Sequence, residues 1–557
     1  NTYNNLIFNG VGGSWKPAGS VTVNGTMTVS NGTYNANGRT TVVTGLTTLG
    51  GGAYQASTAT QTFNGGLTVS GGTLTGSTGA VTTTNVVLSS GTLTAPSGTM
   101  NVSGNWTQTG GTLDGNGGTV NFNGAGTQTV DANNSSFYNL INAGSGTLRL
   151  TGHGFTVSGA LTNTSRVLDT NGLSVTVTGL TTISGGTYQA STATQTFNGG
   201  LTVSGGTFTG STGGVTATNV TLSSGVLTAP TGAFNVSGNW TQTGGTFTHN
   251  NSTVNFNSAG TQTFDSNGAG FYNITHSGTG TLQLTGHALT LNSGAVFSNA
   301  AGTFDLNGQN WTMTGVAFSN IGTLQVKGGE TVTGLVMDTT HGTASYNGAI
   351  TYANLNLGNT YNNLVFNGVG GNWKPVGSVT VNGTMAVSNG TYNANGQTTV
   401  VTGLTTVGGG VYQASTATQT FNGGLTVSGG TFTGSTGAVA VTNVSLSSGT
   451  FTAPSGVFGV SGNWLQSGGT FAPGTNTVIF NAASGTQTLD AGGVGNSSFY
   501  RLTHSGAGTL QLTGHALTLN SGAVFTNAAG TFDLNGQDWI MTGVTLSNTG
   551  ILQAHGG

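Results

Sequence analysis

The sequence has no cysteine in 557 residues, and only 3% of its residues are charged, against about 25% in an ordinary globular protein. Without cysteine there is neither a disulfide framework nor a thiolate metal site. The seven basic residues (Lys16, Arg39, Arg149, Arg166, Lys327, Lys374 and Arg501) are too few and too scattered to build a phosphate-binding face, which excludes nucleic acid as a partner. No run of about 18 apolar residues occurs, so no membrane-spanning helix is expected, and the first residues lack the layout of a signal peptide. No stretch sustains a 3.6-residue apolar period, so no helix is expected either, and six prolines are too few for a polyproline rod.

What is present is repetition. A turn of the form Ser/Asn/Gly-Gly-Thr, with Ala in one copy, precedes one aromatic or aliphatic residue at Tyr34, Tyr54, Leu74, Leu93 and Leu113, at spacings of 20, 20, 19 and 20. The same series returns at Leu168, Tyr188, Phe208, Leu227 and Phe247, and again at Tyr392, Tyr412, Phe432, Phe451 and Phe471. A fixed period in this range marks a repeat architecture. The 103 glycines, many in Asn-Gly and Gly-Gly pairs, supply the corners of such a unit.

Longer periods lie above the short one. Residues 359–401 repeat residues 1–43 with five differences: Ile7/Val365, Ser14/Asn372, Ala18/Val376, Thr28/Ala386 and Arg39/Gln397. Residues 44–177 are duplicated at 178–311, so that Trp106 returns as Trp240, and a third copy carries Trp464. The sequence therefore reads as one continuous solenoid over 1–557, with a first large unit at 1–358 and a second, incomplete one at 359–557. Because neither end resembles a cap, it also reads as a window on a longer repetitive protein.

Segments such as Leu67-Thr-Val-Ser70 and Val86-Val-Leu-Ser89 alternate apolar with polar residues, the pattern of half-buried strands. An all-β unit of about 20 residues per coil is a parallel β-helix, a β-solenoid whose strands stack on their equivalents about 4.8 Å away. Tyr54, Leu74, Leu93 and Leu113 are then expected in one interior ladder, with Thr68, Thr75 and Thr94 pointing outward. The grammar changes near 131–138, 265–272 and 490–500, where loops or altered coils are expected, the third with four extra residues.

Runs such as Gly71-Gly-Thr-Leu-Thr75, Ser90-Gly-Thr-Leu-Thr94 and Gly280-Thr-Leu-Gln-Leu284 resemble the repeats of bacterial β-helical surface proteins. These are the filamentous-haemagglutinin-type adhesins, autotransporter passengers and giant repetitive extracellular proteins. The resemblance implies a right-handed parallel β-helix, an extracellular or cell-surface location and a structural or adhesive role.

The β-helix also supports polysaccharide lyases and hydrolases, which need paired carboxylates or an Asp-bound cation beside Lys/Arg. The acids here are dispersed. Asp131, Asp265 and Asp490 share one context, Gly-Thr-Gln-Thr-x-Asp, but lie several coils apart and read as turn residues bonding their own backbone. His153, His287 and His515 recur in Leu-Thr-Gly-His, while His276 and His504 recur in Thr-His-Ser-Gly. No metal-binding spacing, phosphate loop or nucleophile elbow is present. No catalytic residue, metal site or cofactor is expected.

The tryptophans admit two readings: buried corner packing, or exposed rings that stack on sugars in a multivalent array. Trp15, Lys16, Trp373 and Lys374, in two Trp-Lys-Pro segments, are the candidate glycan contacts because the basic neighbour and proline suggest a surface loop. Threonine occurs at all positions, without a strict one-face register, which speaks against a flat ice-binding array. The expectation is a non-enzymatic, extracellular structural segment forming a fibre, stalk or filament by self-association. A side-binding glycan adhesin is the alternative, and a polysaccharide-processing enzyme comes third.

Overall fold

The first full coil shows how the sequence becomes structure. It has three strands, Val21–Val23, Met27–Val29 and Thr33–Asn35. In the first two the outer residues face inward and the central Thr faces out; in the third the order inverts and Tyr34 points in. Period-two alternation forces this division, because successive side chains leave opposite faces of a strand. The corner after Asn35 is made by Asn37 and Gly38, at φ 51° and 72°, a conformation cheap only for Gly and tolerated by Asn.

The structure is a computed structural model that describes residues 1–493 and 499–555. It is an all-β parallel solenoid of about 27 turns, with about 20 residues per coil and no helix among the described residues. Contacts divide it into two compact units, Asn1–Val296 and Phe297–Gly557.

The periodic residues stack as expected. In the first unit Tyr34, Tyr54, Leu74, Leu93 and Leu113 are successive partners in one ladder, and Leu168, Tyr188, Phe208, Leu227 and Phe247 form another. In the second unit Tyr392, Tyr412, Phe432, Phe451 and Phe471 form a third. Tyr54, Leu74 and Leu93 are fully buried, Leu113 is half-buried, and Thr68, Thr75 and Thr94 lie on the outer side. Rings one coil apart pack directly: Tyr188 on Phe208 at 5.3 Å between centroids, Phe432 on Phe451 at 4.7 Å. Each fully buried side chain of this size contributes about 1.5–3 kcal/mol by burial, and aromatic pairs about 0.5–1.5 kcal/mol more.

The extra residues enter just ahead of the expected stretches, between Phe122 and Gln128 and between Phe256 and Gln262, and they do something the sequence did not reveal. An ordinary residue pairs about 20 positions on, yet Trp106 pairs with Val130 and Trp240 with Phe264, and the accompanying Asn105–Thr129 and Asn239–Thr263 bonds span 24 residues. The extra residues shift each wall by one strand. In the first unit one wall runs Val21, Thr41, Gln61, Val81, Met100, Val120, all in first strands. It then runs through Leu140, Leu161, Thr181, Leu201, Val220 and Trp240, all in second strands, and on to Phe264 and Leu284 in third strands. Each duplication therefore rotates the assignment of strands to walls by one. In the equivalent stretch at 490–500, residues 494–498 lie outside the described residues, but Trp464 pairs with Leu489, 25 positions on.

The outward threonines are more regular than the sequence suggested. Thr162, Thr182, Thr202, Thr221 and Thr241 are consecutive partners on one outer wall. The apparent spread over all positions came from counting along the chain, whereas register is set by pairing across coils.

Polar residues inside the coils are matched within them. Tyr54 and Gln61, Tyr188 and Gln195, and Tyr412 and Gln419 bond at 2.6–2.7 Å, each pair seven residues apart and buried. Asn142 donates to Asn163 at 2.7 Å in a buried amide ladder, and His504 bonds Asn527, which donates to Asn548. Burial pushes the Tyr54, Tyr188 and Tyr412 phenols above their ordinary range, so they stay neutral donors.

Candidate functional site

Three aspartates, Asp131, Asp265 and Asp490, stand in the altered coils. The strand Gln128–Asp131 ends on Asp131, whose Oδ1 accepts the backbone N–H of Asn133 at 3.0 Å, as an Asx turn. One coil later, Thr-Gly-His closes a tight turn in which the His153 N–H donates to the Thr151 carbonyl at 2.8 Å. This aims the imidazole back at Asp131, and Nδ1 lies 3.0 Å from Oδ1. The same pair forms between His287 and Asp265 at 2.8 Å and between His515 and Asp490 at 2.8 Å. A carboxylate only accepts, so each Nδ1 carries a proton, and in the neutral ring the lone pair is on Nε2.

The glycine of Leu-Thr-Gly-His is explained by this pairing. Gly152, Gly286 and Gly514 sit at φ 69–72°, and a Cβ on any of them would overlap the Oδ2 atom of the paired aspartate. The turn reading of Asp131, Asp265 and Asp490 is correct as far as it goes, but reading the two motifs separately missed that they meet. The available signal was their separation: 22 residues in two copies and 25 in the third, one coil each time.

The other histidines divide cleanly. His276 and His504 are interior, fully buried residues, whereas His287, eleven residues after His276, is exposed. His555 pairs with Asp533 at 3.1 Å, and its Nε2 meets Gln553 at 2.9 Å. His249 stacks on Tyr272 and bonds Asn292 through Nε2.

The one glutamate, Glu330, is buried. Its carboxylate accepts the N–H groups of Gly308, Lys327 and Gly328 and the Asn356 amide, at 2.7–3.1 Å. Four donors occupy both oxygens, so this carboxylate anchors an irregular turn and has no lone pair to spare for acid–base work. A cleft of about 540 Å³ beside it is lined by Thr331, Ile350, Tyr352 and Asn354, among others.

The two Trp-Lys-Pro segments differ. Trp15 is half-buried against Phe8, 4.9 Å between centroids, and with exposed Lys16 lines a cavity of about 300 Å³. Trp373 does not lie in a surface loop. It is fully buried, its ring stacks on Tyr352 at 5.8 Å, and its Nε1–H donates to the Lys327 carbonyl at 3.1 Å. Earlier coils cover the indole, Lys374 is half-buried, and no sugar can reach the Trp373 face in this arrangement. Trp106, Trp240, Trp311 and Trp464 are buried as well, the packing alternative for these residues.

Among the described residues no group of three or more His, Asp or Glu side chains could hold a metal ion, and no helix is long and apolar enough to cross a membrane. Comparison with family models, with curated proteins and with solved structures returns no match.

Proposed function

We propose that the chain is a non-enzymatic structural segment of an extracellular repeat protein, which self-associates into fibres or bundles. The observation that carries this reading is the continuity of the ladders. Coil after coil presents the same interior and the same uncharged outer wall, such as Thr162 through Thr241. A lateral contact made once on such a wall is repeated at every coil. Even about 0.5 kcal/mol per contact, the low end for a net hydrogen bond, becomes decisive when several tens act together. The net charge of −3 on 55.0 kDa adds little repulsion to oppose this.

The disposition of the acids supports a structural role over catalysis. Asp131, Asp265 and Asp490 are each engaged by a backbone N–H and an imidazole, and Glu330 by four donors. Electron microscopy of the purified chain at tens of micromolar tests the reading. Laterally aligned or end-to-end assemblies are expected, and separate particles at every concentration would overturn it.

A further inference from the structure

The three Asp–His pairs are surface features in a molecule that has few charges to spend. The His153, His287 and His515 side chains are 47%, 51% and 53% exposed, and exposed ion pairs of this kind contribute only about 0–1 kcal/mol to stability. Stability alone is a weak reason for keeping Asp, Gly and His together in each internal copy. Nevertheless the triad is kept while its surroundings change. The residue before the aspartate is Val130, Phe264 or Leu489, and the separation widens from 22 to 25 residues.

The fourth pair gives the contrast. Asp533 and His555 have the same 22-residue separation, but Gln553 occupies Nε2, and the earlier copy of His555 is Lys327. Lys327 directs its Nζ to the Asn307 carbonyl, so that position does not call for an imidazole. At the three Leu-Thr-Gly-His positions an imidazole stands each time, and among the described residues nothing bonds its Nε2.

An imidazole whose Nδ1–H is held by a carboxylate, with Nε2 open, is the arrangement found around metal-ligating histidines, where the carboxylate fixes the tautomer and raises the ligand's basicity. We propose that His153, His287 and His515 are Nε2 ligands for divalent transition-metal ions of the zinc class, each ion being completed by an imidazole of a second copy of this chain. The second copy is required because the described residues of one molecule offer no cluster of three ligating side chains, and zinc seeks four ligands, here imidazoles and water. Binding displaces water from the ion; Nδ1 keeps its proton and nothing is oxidised or reduced.

The wall shift gives the bridges direction. In the first unit Asp131 pairs in the wall containing Trp106, and Asp265 in the wall that began at Val21 and passes through Trp240. The two bridging histidines of that unit therefore serve different walls, so zinc would tie molecules into bundles rather than flat sheets. This inference rests on the self-association proposed above and supplies it with a chemical control.

The test is a titration of the whole chain with zinc chloride at neutral pH, following zinc uptake with a competing indicator dye and assembly by sedimentation. Zinc uptake accompanied by assembly that EDTA reverses is expected. The His153→Gln, His287→Gln, His515→Gln triple variant should need at least tenfold more zinc, and H249Q should behave as the parent. The Asp131→Asn, Asp265→Asn, Asp490→Asn variant keeps the imidazoles and should weaken uptake by about tenfold or more, the usual effect of losing such a carboxylate. Zinc uptake without assembly, or an unchanged zinc response in the histidine variant, overturns the proposal. Assembly indifferent to both EDTA and the histidine changes defeats the zinc bridge and leaves lateral association standing. Assembly only with zinc keeps the bridge and removes the lateral contact.

Discussion

Tyr54 donates its phenol hydrogen to Gln61 Oε1 at 2.6 Å, across the inside of a single coil. Gln61 directs its amide at the Arg39 and Ala59 carbonyls and at Ser57 Oγ, and among the described residues Tyr54 alone donates to the buried Oε1. Tyr54→Phe leaves that oxygen unpaired, and should cost about 1–3 kcal/mol in chemical denaturation. Tyr34→Phe should cost less, because its partner at 2.9 Å is the Thr41 hydroxyl, which can turn to another acceptor. Equal losses would contradict this account of the interior.

The inward and outward sides of one strand should respond in opposite ways. Leu74→Ala removes a fully buried rung and should destabilise by about 2–5 kcal/mol. Thr75→Ala, on the next and exposed position, should stay within about 0.5 kcal/mol of the parent. Denaturant midpoints measure both.

Gly286 is required twice over, by its φ of 72° and by the Asp265 carboxylate against it. Gly286→Ala should destabilise by at least about 1–2 kcal/mol, the cost of a side chain in left-handed backbone. It should also separate His287 from Asp265, seen as a change in the His287 ring resonances by NMR. Unchanged resonances would mean that the glycine serves the turn alone.

The second unit should lose stability with acid in two stages. Burial holds the His504 imidazole below its ordinary range, against the Asn527 bond, which favours the charged form. Its Nε2 is buried without a partner, so a proton added there would be an unpaired buried charge. The unfolded chain binds that proton first, so His504 contributes its stability above about pH 6.5, and this is lost as pH falls below that value. The contribution of Asp338 is lost in the same direction, with the balance of causes reversed. Burial opposes its ionisation, but bonds from Thr340, Asn320 and His341 outweigh this and bring it down to about 2. Its contribution holds above the unfolded carboxylate range and is lost as pH falls through about 2. His504→Gln should remove the first stage and leave the second, in thermal melts across pH.

Period and alternation were enough to place Tyr54, Leu74 and Leu93 in one ladder, because a solenoid converts sequence spacing directly into contact. The wall shift at Val130 and Phe264 was not legible, since the extra residues mark an irregular coil without saying which strand it will pair with. Trp373 was misplaced because its burial comes from Tyr352 and Lys327, residues that Lys-Pro on its other side says nothing about. The Asp–His pairs lay between these cases. Both halves recur visibly, but only the coil length says that residue 131 meets residue 153.

Sedimentation velocity of the purified chain over about a hundredfold range of concentration, in metal-free neutral buffer, addresses the structural reading most directly. Repeated uncharged walls predict a weight-average sedimentation coefficient that rises steadily with concentration, with species well beyond the 55.0 kDa chain. A single concentration-independent boundary at the monomer mass would contradict it.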